Sequence, residues 1–364
     1  MPPAALTQLD EALQYPYIRG VSHYQNWSTW ETAPGVYNWT LPDAIFSLAA
    51  RHNKFVILGL QMGVAAPAWL LRDPAVATVD FVHANPGWCP MSTLQRAVDG
   101  LCVSTVARAW DNPSYATRVE SAVRALAARY ARRPELVFVN VAGASVSGGV
   151  ETNFVIQYPL SRRVNREVDV QFNFTLDKYV AVWQERIDLY LELFPQVGVG
   201  LNNETGTHGY EGGRVVPYSA VEQANAARAI RDRLVTQHPR KQHGRTAVVR
   251  TCGGSDRTAL WGQVGNRSGP PPGALFAELL WEVRELAKIG NEEAYVQELN
   301  NITSAGMVTM LAINRWYNGQ YMELKRPDII NNSNMPELLY RDALEATAAA
   351  MRPGAPLPWP CEGG

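Results

Sequence analysis

Cysteine is scarce: four residues in 364. Cys89 and Cys102 lie in one irregular stretch, Cys252 in a strand-like run and Cys361 near the end. No spacing among them matches a zinc site, so no metal is expected. Two readings stay open for the thiols, four free groups or one Cys89–Cys102 disulfide. A net charge is also lacking, with 33 Lys and Arg against 34 Asp and Glu. That balance excludes nucleic acid or an anionic membrane as an expected partner. No apolar run is long enough to span a bilayer, so no membrane helix is expected. The Gly-rich phosphate turn of dinucleotide-binding folds does not follow the first strand. No nucleophile elbow, no cysteine beside a base and no His/Asp cluster appears. No cofactor is therefore expected.

What is present is alternation. Apolar strand-like runs at 17–24, 54–63, 135–143, 196–202, 246–254, 293–299 and 319–324 alternate with helix-like runs at 41–53, 114–134, 176–194, 219–238, 274–290, 302–314 and 335–351. Fully apolar strands separated by amphipathic helices mean a parallel sheet covered on its faces. Seven such units in one chain of this length predict α/β architecture, a single (β/α)8 TIM barrel over residues 1–352, with 353–364 as a Pro/Gly-rich tail. The eighth strand is expected either in residues 64–113 or before residue 17. Residues 64–113 are rich in Pro, Gly and Trp and read as a long loop over the strand ends.

Barrel sites lie at the C-terminal ends of the strands. The residues found there are Trp27, Trp30 and Glu31, then Gln61 and Trp69, Glu151, Asn202 with Asn203 and Glu204, Trp261, Glu298, and Glu323 with Trp316 shortly before it. These are acids, amides and aromatics with few cations. Paired carboxylates suit glycoside chemistry, in which one protonates the leaving oxygen while the other attacks the anomeric carbon or activates water. Sugars offer C–H faces to Trp rings and hydroxyls to amides. The expected partner is a carbohydrate substrate. Trp27 and Trp30 read equally well as core or as sugar platforms, Trp39 and Tyr37 as packing, and His23 as a hydrogen-bonded wall residue.

The run W-x-x-W-E-x-x-P-G-V-Y-x-W at 27–39, followed by VILGLQMGVAAPAWL at 56–70, resembles the early part of clan-A glycoside hydrolases of the beta-galactosidase type. Residues 122–151 are similar to that clan's approach to its acid/base, YVQEL at 295–299 to its nucleophile strand, and GQYMEL at 319–324 to its last strand. The resemblance implies a retaining glycosidase with Glu298 as nucleophile and Glu151 as acid/base. The strand-end inventory assigns Trp27, Trp30, Gln61, Trp69, Asn202, Glu204, Trp261, Trp316 and Glu323 to substrate binding, while the motif resemblance implies that Glu31 ties its loop down and Gly35 makes the turn. The clan's Asn-Glu pair does not stand at the end of the strand before Glu151. An Asn-Glu pair occurs one strand later, at Asn203-Glu204, so Glu204 is the alternative acid/base. The rival readings are a carbohydrate-binding barrel without catalysis and a barrel enzyme of other chemistry.

Seven N-x-S/T sequons, at Asn26, Asn38, Asn173, Asn203, Asn266, Asn301 and Asn331, suggest a glycoprotein of the secretory pathway or extracellular space. The first residues read as an amphipathic helix and not as a signal peptide, so any leader is expected to be absent from this chain.

Overall fold

The computed structural model describes residues 3–16, 18–83, 95–98, 101–144, 173–203, 219–236, 247–251, 278–279, 282–283, 288–292 and 319–323. In chain order the strands are β1 (Gly20–Asn26), β2 (Glu31–Ala33), β3 (Val36–Tyr37), β4 (Phe55–Gln61), β5 (Thr78–His83), β6 (Gln95–Val98), β7 (Leu101–Ala107), β8 (Leu136–Asn140), β9 (Gly198–Asn202), β10 (Ala247–Thr251), β11 (Lys288–Glu292) and β12 (Gly319–Glu323). Seven of them form one parallel sheet in the order β1-β4-β8-β9-β10-β11-β12. Sequential strands are neighbours throughout, as repeated βα units require. β1 and β12 stand at the two ends of this order, and among the described residues no eighth strand joins them.

The helices that cover the sheet start where their sequences say they should. Asn112 caps Pro113–Tyr130 by accepting from the Tyr115 backbone N–H at 3.1 Å, with Pro113 at the first position, where its missing N–H costs nothing. Thr175 caps Leu176–Leu193 by accepting from Lys178 N–H at 3.2 Å. Ser219 and Glu222 form a reciprocal capping box at the start of Ala220–Thr236. Their inner stripes, with that of Thr40–Arg51, meet the outward side chains of the strands. Ile45, Phe46, Val119, Val123, Leu126, Trp183 and Ile187 pack in one cluster with Val56, Leu58, Leu60, Val139, Val199 and Leu201. Each fully buried aliphatic side chain here is worth about 2 kcal/mol. No described helix is long and apolar enough to cross a membrane.

Two sequence expectations change. Residues 78–107, expected within a long loop, contain an antiparallel sheet in the order β5-β7-β6. Its strands are β-branched-rich runs such as TVDFVH and LCVSTVA, but the Pro- and Trp-rich sequence around them hides the alternation. Among the described residues of that stretch no strand joins the parallel sheet, and residues 3–12 are helical. The second change is β11. The helix expected over 274–290 ends earlier, because residues 288–292 pair between β10 and β12. Ile289 and Gly290 are poor helix formers, and the sheet supplies hydrogen bonds on both sides. The strand expected at 293–299 lies outside the described residues, as do the helices expected at 302–314 and 335–351.

Candidate active site

Parallel strands deliver all their C-terminal ends to one edge of the sheet. The last residues of the seven strands are Asn26, Gln61, Asn140, Asn202, Thr251, Glu292 and Glu323. Along the sheet order the first four strands thus end in amides, the fifth in a threonine and the last two in acids. Asn26 and Gln61 are register partners on β1 and β4, and Glu292 and Glu323 are register partners on β11 and β12. Amides suit hydroxyl recognition because each both donates and accepts. Glu292 was missed by sequence reasoning, since its segment reads as the end of a helix; the only signal was Gly290 two residues before it.

Below that edge the inward face of the sheet carries a layer of alternating size. Tyr24, Gly59, Asn140 and Gly200 are consecutive register partners on β1, β4, β8 and β9. The Tyr24 ring lies directly over Gly59, where any Cβ would overlap it. The Asn140 side chain lies over Gly200, where a Cβ would fall 2.5 Å from Asn140 Oδ1. Asn140 Nδ2 donates to the Tyr24 hydroxyl at 3.0 Å, and Asn140 Oδ1 is buried without a hydrogen-bond partner. Large-over-small layering fills barrel interiors. Here it also carries a polar pair beneath the strand ends, which sequence reasoning did not single out. Asn202 and Asn203 at the end of β9 are fully buried.

The aromatic stretch at 27–39 is a packing knot. Trp27 and Trp30 are 0% exposed. Trp27 packs on Tyr115, and Trp30 on Tyr37 and Trp39 with centroids 4.6 and 5.1 Å away. Neither ring leaves a face open to a ligand, which corrects their assignment as sugar platforms. Trp39 packs on Tyr130 and lies under the Arg129 guanidinium at 4.9 Å. Glu31 has the structural role expected of it. It accepts from Trp27 Nε1 at 2.6 Å and from the Gly35 backbone N–H at 2.8 Å, and Gly35 makes the turn at φ +74°. Burial and then the neighbouring Glu31 carboxylate push the Tyr37 phenol up to about 12.

Trp69 differs from that pair. It is only half-buried, its Nε1 donates to the Glu31 backbone carbonyl at 3.1 Å, and the Arg118 guanidinium lies 5.8 Å from its ring. His23 points to the helix side of β1 and is buried, with Nε2 3.1 Å from Gln25 Oε1. Gln25 in turn donates to Thr29 Oγ1. Desolvation lowers the His23 imidazole to about 4, so it is neutral near pH 7 and belongs to the wall. Glu151, Glu204, Glu298, Trp261 and Trp316 lie outside the described residues. After Asn140 the chain runs Val141-Ala142-Gly143-Ala144, so no acid stands at the end of β8 within the described segment.

No family model matches the chain, and no curated protein matches it in sequence. Solved structures do match in fold. An endo-glycoceramidase II from Rhodococcus sp., in complex with a cellobiose-like imidazole, superposes with a TM-score of 0.52 at 14% identity, covering 93% of this chain and 73% of that one. A beta-galactosidase from the psychrophilic Marinomonas ef1 gives 0.51 at 12% identity, covering 96% of this chain and 58% of that one. The chain shares the TIM-barrel fold of these structures. The likeness is one of architecture, and a fold by itself does not specify a reaction.

Proposed function

We propose that the chain is a glycoside hydrolase that cleaves O-glycosidic bonds with two carboxylates and retention of configuration. The observation that carries this reading is the C-terminal edge of the sheet, where amides and the adjacent acids Glu292 and Glu323 end the strands of a glycosidase fold. In a retaining reaction one carboxylate attacks the anomeric carbon while the other protonates the departing oxygen. Water then releases the sugar with the second group acting as base, the two carboxyls standing about 5–5.5 Å apart. Glu298 is the nucleophile and Glu151 the acid/base on the clan resemblance, with Glu204 as the alternative acid. β11 supports a competitor, because the strand paired between β10 and β12 ends at Glu292. Gln61, Trp69, Asn202, Trp261, Trp316 and Glu323 are assigned to substrate binding.

The test is turnover of aryl glycosides by four single variants. The nucleophile's Glu→Gln change should lower kcat by several orders of magnitude with folding intact. The acid/base change should hurt least on substrates with good leaving groups and should be rescued by azide. Loss in Glu298→Gln with normal turnover in Glu292→Gln keeps the first assignment, and the reverse moves the nucleophile to β11. Azide rescue in Glu204→Gln in place of Glu151→Gln moves the acid/base likewise. A wild type that binds oligosaccharide and turns over no glycoside supports the second reading, a carbohydrate-binding barrel. That reading is favoured by the Val-Ala-Gly-Ala end of β8.

We place the protein in the secretory pathway on its sequons. Asn38 and Asn173 are exposed, whereas Asn203 is fully buried. Expression in a eukaryotic secretory host should give an endoglycosidase-sensitive mass shift that maps to Asn38 or Asn173 and never to Asn203. Absence of any shift removes the basis for this location.

A further inference from the structure

The helix Leu176–Leu193 turns one stripe, Tyr179, Trp183, Arg186 and Tyr190, into the core. Positions 183, 186 and 190 recur at helical spacing, so their side chains share a face. Arg186 is 5% exposed. Its Nε and Nη2 are buried with no hydrogen-bond partner, and so are Trp183 Nε1 and the Tyr190 hydroxyl. The Ala142 backbone lies beside the Tyr190 hydroxyl. Among the described residues no carboxylate forms an ion pair with Arg186. Glu185 and Glu120 act on its charge only through space, and Glu120 is bound to Arg124 at 2.7 Å.

The surroundings are tight and apolar on the other side. A Cβ on Gly143, just past β8 and at φ +101°, would overlap Val119 Cγ1 at 2.6 Å and crowd Met62 Sδ at 3.1 Å, with the Arg186 stem at Cδ in contact at 3.5 Å, so the glycine leaves room for the Arg186 stem between them. Tyr115, fully buried on the neighbouring helix, also lies within reach of the Arg186 charge. An isolated guanidinium in such a place costs several kcal/mol unless something negative joins it. Arginine stays protonated, so the cost is met by a partner and not by proton loss. The Nε and Nη2 N–H groups lie along one edge of the guanidinium plane and converge on a single acceptor.

We propose that this stripe holds a small inorganic monovalent anion, of the size of chloride, against the Nε/Nη2 edge of Arg186, with the Tyr190 hydroxyl as a further donor. One negative charge neutralises one guanidinium, and the Nε/Nη2 edge offers two donors to a single acceptor atom. The site stands behind the C-terminal end of β8, so its occupancy sets the position of the backbone from Ala142 to Ala144. The inference is independent of the glycosidase reading.

Bromide is the probe. Crystals of the wild-type protein soaked in sodium bromide should give an anomalous peak in contact with Arg186 Nε or Nη2, absent from Arg186→Lys crystals soaked alike. In solution, wild type should melt a few degrees higher in chloride than in gluconate at equal ionic strength, because an ion bound only by the folded state stabilises it by mass action. Arg186→Met should melt at the same temperature in both salts. If that variant fails to fold, the wild-type salt comparison and the bromide peak still decide. A wild type with no peak at Arg186 and no chloride-dependent shift overturns the proposal. So does an experimental structure in which a carboxylate of the chain pairs with Arg186.

Discussion

The β2–β3 hairpin and the helix Leu176–Leu193 each bury one charge and treat it differently. Glu31 is 4% exposed and its two carboxylate oxygens accept from Trp27 Nε1 and Gly35 N–H. Arg186 is 5% exposed, and two of its nitrogens have no partner. Burial is therefore equal and satisfaction is not. A buried acid whose lone pairs are met by local donors fixes a loop. A buried cation whose donors are left over marks a place where the structure is complete only with something added. Equal exposure gives no ground for giving the two residues the same role.

The largest effect that separates them is expected at Glu31. Glu31→Ala deletes two hydrogen bonds to a charged group, one of them leaving the fully buried Trp27 Nε1 without its acceptor. Such bonds contribute about 1.5–3 kcal/mol each, so the variant should lose about 3–5 kcal/mol in denaturant unfolding. Glu31→Gln keeps one acceptor oxygen and should lose roughly half of that. A loss under about 1 kcal/mol for the alanine variant would show that the knot holds by ring packing alone, and the contrast with Arg186 would lose its first term.

His23 supplies an intermediate case, a buried titratable group that meets its environment by staying neutral. Its folded pKa is about 4 against 6.5 for the free group, with desolvation as the leading cause. Above pH 6.5 neither state is protonated and the residue adds no pH dependence. As pH falls from 6.5 towards 4 the unfolded chain takes up a proton that the folded chain refuses, so stability is lost across that window. The loss is on the order of 3 kcal/mol in total and levels off below the folded pKa. His23→Gln should remove this component, so the gap between variant and wild type should narrow or reverse between pH 7 and pH 4.5. Parallel unfolding curves at both pH values would show that His23 is protonated in the folded protein.

Much of this was legible in the sequence, and the parts that were not have physical reasons. β4, β8 and β9 announce themselves because strands covered by helices read as apolar runs. The role of Glu31 was legible through the motif resemblance, in which an acid ahead of the turn ties its loop down. The inward layer is different. Tyr24, Gly59, Asn140 and Gly200 lie far apart in sequence, and only the strand register brings them into one row. Trp27 and Trp30 could not be sorted in advance, since a tryptophan in the core and one at a sugar site look the same as letters. β11 was hidden for the opposite reason: its residues continue a helical pattern until the sheet's need for a partner between β10 and β12 overrides it. Arg186 gave no signal at all, being one arginine on a helix with charged residues on either side.

The smallest expected effect is the sharpest test of the contrast. Arg186→Met keeps most of the volume of the aliphatic stem and removes the buried N–H groups. If Arg186 has no partner supplied by the chain, the substitution relieves a desolvation cost and breaks nothing. In gluconate its unfolding free energy should then lie within about 1 kcal/mol of wild type, or somewhat above it. In chloride the wild type gains from the bound ion and the variant does not, so the ranking should move in favour of wild type as chloride is added. A carboxylate partner within the chain predicts the opposite in gluconate. Its removal would strand a buried negative charge and cost about 3–5 kcal/mol whatever the salt. That outcome would put Arg186 beside Glu31 as a second satisfied charge, and the two regions would no longer differ in kind.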